Sequence, residues 1–333
     1  MTKRSSSPLS FVLIGLTSFL PSLLKADGVV KIDGSSTVYP ITEAVAEEFQ
    51  KSTGTKVTVG ISGTGGGFKK FSRGEIDVQD ASRPIKPEEA KAAKEGGVEY
   101  LELPIAYDAL TVVVNSKNDW VDSIKVSELK KIWEPEAQGK IKKWNQIRPE
   151  WPDKEIKLYG AGSDSGTFDY FTEAVNGKSK ASRGDYTASE DDNVLVQGVE
   201  GDKYAMGYMG YSYYAAHQKR LKALGIEWDT KKKPSSKPSE ETVLAGSYNP
   251  LSRPLFIYVN VKSLAKPEVK KFVEFYLANV DRLTREVKYI ALPGTAYEKI
   301  KARFEKTEKG SAFLGQDDVA VPIGEILNRV PVP

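Results

Sequence analysis

Three short stretches of this 333-residue chain share a composition suited to holding an anion: Gly34-Ser35-Ser36-Thr37, Ser62-Gly63-Thr64-Gly65-Gly66-Gly67 and Ser163-Asp164-Ser165-Gly166-Thr167. Each follows a short apolar run, "VVKI", "KVTVGI" and "IKLYGA" in turn, and each opens a segment of helical period. The first turn of a helix has backbone N–H groups without intrahelical partners, and the helix dipole adds roughly half a positive charge there. Small residues let anion oxygens approach that backbone, hydroxyls donate further bonds, and Pro40 sits near the first helix start where no N–H is needed. One such joint alone reads first as an ordinary N-cap. Three of them, each delivered by a strand, point to one cleft, because ligands of open α/β sheets bind beyond the carboxyl ends of the strands. Three caps with no common ligand are the alternative.

Other chemistries fit these residues less well. "GTGGGFKKFS" lacks the Gly-Lys-Ser/Thr ending of a nucleotide loop, and "GAGSDSG" approaches Gly-x-Gly-x-x-Gly from Gly160 with its third glycine one residue late and without the acidic residue that a dinucleotide site needs at the end of a second strand. A serine nucleophile at Ser165 would have to use His217, the one histidine, which reads as a surface residue of "AAHQKRL". With no cysteine and one histidine the chain offers no metal cluster of the usual ligand types, and neither a metal nor an organic cofactor is expected.

The elements that must position these joints alternate. "VVKI", a helix over Tyr39–Ser52, "KVTVGI", a helix over Gly66–Arg73, "IDVQDAS" and a helix over Lys86–Glu95 give a β-α-β-α rhythm, and "IKLYGA" begins a second such set. Two long apolar stretches, "LELPIAYDALTVVVN" and "LSRPLFIYVN", are the places where the chain can cross between lobes, near residues 104–106 and 250–254. The expected fold is therefore α/β with two lobes, each a mixed, mostly parallel sheet flanked by helices: residues 27–104 with 253–333 form one, and 105–252 the other. "DTKKKPSSKPSEET" has no apolar period and reads as an exposed excursion.

Residues 1–26 read as a secretory signal peptide, with Lys3 and Arg4 ahead of an apolar stretch from about Leu9 to Leu24 and cleavage expected after Ala26. The whole chain has 48 basic and 45 acidic side chains; removing residues 1–26 takes away Lys3, Arg4 and Lys25 and no acid, leaving a balanced protein. No basic stripe implies nucleic acid. Without cysteine the product carries neither disulfides nor a lipid anchor, and the periplasm is the expected compartment.

At the three joints the chain resembles the substrate-binding proteins of the ABC phosphate transporter, the PstS family of type II periplasmic binding proteins. The resemblance runs through "GSSTVYPI", "GTGGGFKKF", "DASRPI", "KIWEPEAQGKIKKWN", "SDSGTFDYF", "AMGYMGY" and "LFIYVN" in order. It implies a monomeric two-lobed clamp, not an enzyme, that closes on one inorganic phosphate and passes it to permease subunits in the inner membrane. By position it implies ligand contacts from Thr37 with the Val38 amide, Thr64, Ser165, Gly166 and Thr167, with Ser36 added because the first loop can align one residue earlier. Two departures stand out. Arg83 follows Ala81-Ser82 where many relatives carry a proton-accepting aspartate, and Ala161 stands where they carry an arginine. Arg83 is thus expected to be the cationic clamp, pairing two ligand oxygens from the lobe opposite Ser165, unless it only covers the Pro84 turn. Asp80 or Asp164 is left as the proton acceptor. Uncharged donors fit sulfate, arsenate or molybdate as well, and a serine hydrolase, phosphatase or adhesion protein on the same fold is the more distant alternative.

Overall fold

The computed structural model describes Met1 and residues 28–163, 165–189, 191–314 and 322–332. The expected signal peptide lies outside the described residues, apart from Met1.

The chain opens with β1 (Val30–Gly34), α1 (Tyr39–Thr53), β2 (Val57–Gly60), α2 (Thr64–Ser72), β3 (Val78–Ala81) and α3 (Pro87–Glu95). The long strand β4 (Tyr100–Asn115) leads into β5 (Ser123–Lys125), α4 (Val126–Trp133), β6 (Lys157–Ala161), α5 (Gly166–Asn176), β7 (Thr187–Ser189) and α6 (Asp192–Gly201). Then come β8 (Ala205–Gly210), α7 (Tyr211–Ala216), β9 (Leu221–Ala223), β10 (Gly225–Trp228), β11 (Lys233–Ser236) and α8 (Glu240–Leu244). The return strand β12 (Ser252–Asn260) is followed by α9 (Pro267–Glu286), β13 (Ile290–Ala291), α10 (Gly294–Glu305) and α11 (Ile323–Ile326).

The main sheet runs β2-β1-β3-β12-β4-β8-β6-β7, with β13 and β9 also on β4. Its flanks are parallel, β1 with β2 and β3, and β6 with β7 and β8. Its middle is antiparallel, because β12 runs back between β3 and β4. β4 joins the halves: up to Ala109 it pairs with β12, and from Leu110 it pairs with β8. All of β4 is buried, which accounts for its unbroken apolar character. The result is the expected mixed α/β fold with helices against its strands, but the sheets expected separately in the two lobes are joined through β4 and β12 into one curled sheet. One segment differs from its reading. "DTKKKPSS" is not bare loop, since β11 pairs antiparallel with β10 at the edge of a small sheet that also holds β5. An edge tolerates Pro234 and needs no apolar period, so its strand signal is weak.

Each helix near the cleft is set by its own sequence. Ile41, Val45, Ala46 and Phe49 form the buried stripe of α1, and Gly54, at φ 75°, ends it by donating to Gln50 O. In α5 the stripe is Phe168, Phe171, Thr172 and Val175, and Phe171 stacks on Tyr208 of β8 with ring centroids 3.7 Å apart. Burying each large side chain contributes roughly 1.5–3 kcal/mol, which fixes the helix ends relative to the strands that feed them.

One buried acid in the framework makes stability depend on pH. Glu102 of β4 is 4% exposed and accepts bonds from Tyr258 Oη at 2.8 Å, the Ala312 amide at 2.8 Å and Ser311 Oγ. Burial pushes its carboxyl from the ordinary 4.5 up to about 7, against the pull of these donors. The folded state therefore holds this proton more tightly than the unfolded state, so this locus loses stability as pH rises from about 4.5 to about 7. Glu102→Gln removes the titration, and between pH 5 and pH 8 it is expected to lose stability by an amount on the order of 3 kcal/mol less than the parent. Urea unfolding at the two pH values measures this; parallel losses in both proteins would refute it.

Candidate functional site

The first joint leaves β1 at Gly34, whose φ is 145° and where a Cβ would stand 2.1 Å from Asp80 O. Glycine is thus required for the turn to lie against β3. Ser35 donates its amide to Asp80 O at 2.9 Å, and its Oγ accepts the Thr37 amide at 3.2 Å. The second joint turns at Gly63, φ 74°, and the first helical bond of α2 runs from Gly67 N to Gly63 O. The amides of Thr64, Gly65 and Gly66 are left at the open end of the helix. Thr64 Oγ1 accepts the Ser82 amide at 3.2 Å and lies 3.1 Å from Ser82 Oγ, tying this joint to the end of β3. Asp33 holds the loop from below through Ser62 and Lys70, which keep its carboxyl below the usual range despite the upward push of burial. The third joint is capped by Ser165, whose Oγ accepts the Thr167 amide at 3.1 Å.

The structure brings the three joints together. A Cβ added to Gly166 would stand 2.2 Å from Thr37 Oγ1 and 2.9 Å from Ser36 Oγ, so the first and third joints touch. On one side of this contact lies a cavity of about 350 Å³ whose walls include Ser36, Thr64, Arg83, Gly166 and Arg253. On the other side a cavity of about 410 Å³ is lined in part by Ser36, Thr37, Ser165, Gly166 and Thr167. Val38 lines neither; it is fully buried, and its amide donates to Ser35 O at 3.2 Å. His217 lines neither and donates from Nδ1 to the Tyr213 carbonyl at 2.7 Å.

Sequence reasoning missed the cation at the centre. Arg253 of β12 is register partner to Asp108 of β4, and Asp108 Oδ2 accepts from Arg253 Nε at 3.3 Å and Nη2 at 3.2 Å. The guanidinium lies 3.8 Å from the Tyr170 ring centroid, and Nη2 also donates to Thr37 Oγ1 at 3.2 Å and points to Gly166 O at 3.5 Å. Nη1 makes no hydrogen bond among the described residues. Burial raises the Asp108 carboxyl while Arg253 pulls it down. The signal was present in the sequence, because each apolar crossing stretch carries an interior charge, Asp108 in one and Arg253 in the other, of opposite sign.

Arg83 lines the smaller cavity, but not with the geometry expected of it. Its Nη1 and Nη2 both pair with the Glu89 carboxylate at 2.8 Å, and Nη1 also donates to Pro84 O at 3.1 Å. Its paired edge is thus occupied by the N3 residue of α3, which in turn accepts the Lys86 amide. The side chain secures the Pro84 turn and lies on the cavity wall, with the fork expected to pair two ligand oxygens taken up by Glu89.

The carboxylates divide in a similar way. Asp164 lies outside the described residues. Asp80 is 1% exposed and lines neither cavity; its Oδ1 accepts from Thr42 Oγ1 at 3.0 Å inside the core, and burial, reinforced by Asp33, drives its carboxyl well above the ordinary value. Asp169, one turn into α5, does line the smaller cavity. Its Oδ1 is withdrawn from solvent, with Lys180 Nζ 3.8 Å away and beyond hydrogen-bond reach. Burial raises its carboxyl against the pull of Lys180 and Arg253.

A curled mixed sheet whose helix N-termini meet around one arginine defines a binding protein of the PBP superfamily, whose domain model matches residues 23–280. Protein SphX of Synechocystis sp. is 49% identical over 98% of this chain and 96% of its own length. The phosphate-binding protein PstS of Staphylococcus saprophyticus is 40% identical over 84% of this chain and 86% of its own length. The crystal structure of a possible phosphate binding protein from Planctomyces limnophilus is 49% identical, covers 84% of this chain and 98% of its own, and superposes with a TM-score of 0.78. The chain belongs to the PstS family of phosphate-binding proteins.

Proposed function

We propose that this chain is an extracytoplasmic receptor that closes on inorganic phosphate and delivers it to an ABC permease, working in the periplasm as a monomer after loss of residues 1–26. The observation that carries this reading is the meeting of three helix N-termini and Arg253 in one cleft. Many preorganised N–H and O–H donors around the embedded Arg253 guanidinium suit a small dianion. Residues 27–104 with 253–333 form one jaw and 105–252 the other, a division supported by the handover of β4 from β12 to β8 at Ala109–Leu110. Ser36, Thr37, Thr64, Ser165, Gly166 and Thr167 supply the uncharged contacts, while the Val38 amide is already spent on Ser35 O. Arg253 supplies the principal cation, and Arg83 adds donors not engaged by Glu89. Among the described residues no helix is long and apolar enough to cross a membrane.

Calorimetric titration of the ligand-stripped protein with phosphate, sulfate and arsenate tests this reading. Phosphate is expected to bind most tightly, with sulfate far behind; tighter sulfate binding, or no anion binding, would overturn it.

Selectivity follows from Asp169. Hydrogen phosphate has an O–H to donate and sulfate has none, so a carboxylate on the cavity wall accepts from one and repels the other. Asp169→Asn offers sulfate a donor in place of the repulsion, and the phosphate-to-sulfate affinity ratio is expected to fall about ten- to a hundredfold. An unchanged ratio would remove Asp169 from this role.

A further inference from the structure

Beside the cavity of about 350 Å³ lined by Thr64, Arg83 and Arg253, taken as the anion cavity, lies a larger one of about 570 Å³. The two share Ser82, Arg83, Lys86, Tyr170, Glu173 and Arg253, so they are neighbouring ends of one groove. Every charged residue of the larger cavity belongs to this shared wall. Beyond it the lining turns apolar and aromatic, with Ile85, Ala174, Trp228, Pro250 and Phe313 prominent. Trp228 closes β10 and is half-buried, leaving part of its ring to the cavity. Orthophosphate has no apolar surface to place there, whereas a ligand with a dianionic head and a small hydrocarbon body matches the polarity gradient along the groove.

We propose that the groove also accepts organic phosphoryl compounds, phosphate monoesters or phosphonates bearing a small aryl or alkyl group. The phosphoryl head occupies the anion cavity against Arg253, and the organic group lies in the annex against Trp228. This rests on the phosphate-receptor reading and extends its ligand class. The source of the specificity is spatial. Both guanidiniums stand on the wall between the two ends, so an oxygen of the head can face Arg83 or Arg253 while the carbon substituent leaves on the annex side. Condensed phosphates would carry charge into an end that has no cation of its own.

Phenylphosphonate is the probe, because its P–C bond is not hydrolysed, and it is titrated calorimetrically into the full chain alone and in competition with orthophosphate. It is expected to displace orthophosphate at one site. Trp228→Ala should weaken phenylphosphonate about tenfold while leaving orthophosphate within about twofold of the parent, the loss of one aromatic packing partner. Ala174→Trp fills the annex from a second lining position and should produce the same split, so a folding defect in either variant alone does not decide the matter. If orthophosphate binds and millimolar phenylphosphonate fails to displace it, the annex proposal is overturned and the receptor reading stands. The proposal also falls if phenylphosphonate binds without competing, or if both variants bind it like the parent. If neither ligand binds the parent, the receptor reading falls first and takes the annex with it.

Discussion

Arg253→Ala is expected to weaken phosphate binding about a hundredfold or more, through loss of one or two charge-assisted bonds of roughly 1.5–3 kcal/mol each. The same change also acts on the fold. Arg253 and Asp108 have side chains only 11% and 8% exposed, and removing one partner of such a pair costs roughly 3–5 kcal/mol when the other must remain ionised. Burial already raises the Asp108 carboxyl, so without the guanidinium it rises further and the variant escapes part of the cost by taking up a proton. Because the folded-state value then lies above the unfolded one, the stability deficit should be small near pH 5 and grow as pH rises toward 8. Arg253→Met with Asp108→Asn removes both charges and is expected to restore stability at pH 8 while leaving phosphate unbound, which separates the two roles. Arg253→Lys keeps the charge but gives up the planar contact with Tyr170 and the shared reach to Thr37 and Asp108, and should fall between the parent and alanine. Calorimetry with thermal unfolding at both pH values reads all of these. Parent-like phosphate affinity in Arg253→Ala would place the cation elsewhere.

The reason Arg253 escaped sequence reasoning shows what a single chain makes legible. The joints were visible because strand, turn and helix are neighbours in sequence, and Gly63 and Ser165 act within a few residues of their own position. The start of α2 was read two residues late, at Gly66 and not Thr64, because Gly65, Gly66 and Gly67 oppose helix propensity. The structure supplies the reason for the last of them: a Cβ on Gly67 would stand 1.9 Å from Gln79 Oε1 and 2.8 Å from Gly34 Cα, so helix and strand approach too closely for a side chain. Asp108 and Arg253 are 145 residues apart, and only the register of β4 against β12 brings them together. Their charges inside apolar runs were legible; their pairing was not. Arg83 presents the opposite case. Its partner Glu89 is six residues away, and an acidic N3 residue at the start of α3 is a local signal for that pair, whereas the family resemblance points the guanidinium across the cleft.

Gly166→Ala tests whether the first and third joints close on one another as placed. Gly166 opens α5 with an ordinary helical backbone, so alanine meets no conformational penalty there and is the better helix former. The obstacle is the neighbour across the cleft. The added Cβ would stand 2.2 Å from Thr37 Oγ1 and 2.9 Å from Ser36 Oγ, and real carbon atoms do not approach a hydroxyl that closely. Thr37 cannot simply turn aside. It is β-branched, 7% exposed, and its hydroxyl receives Arg253 Nη2 at 3.2 Å, so any escape breaks the bond that sets the guanidinium. The cheaper relief is for the two jaws to stay slightly apart, which lengthens every contact to a ligand held between them while leaving each jaw's core intact. Phosphate affinity is therefore expected to fall about ten- to a hundredfold, the cost of overpacking by one methyl, with little change in the unfolding midpoint of the ligand-free protein. The same substitution in a Thr37→Ala background should cost markedly less, because the atom it strikes is gone, and the non-additivity measures the contact directly. If Gly166→Ala binds phosphate as the parent does, or if its cost is the same with and without the Thr37 hydroxyl, the two helix starts do not meet around the ligand and the cleft closes by some other path.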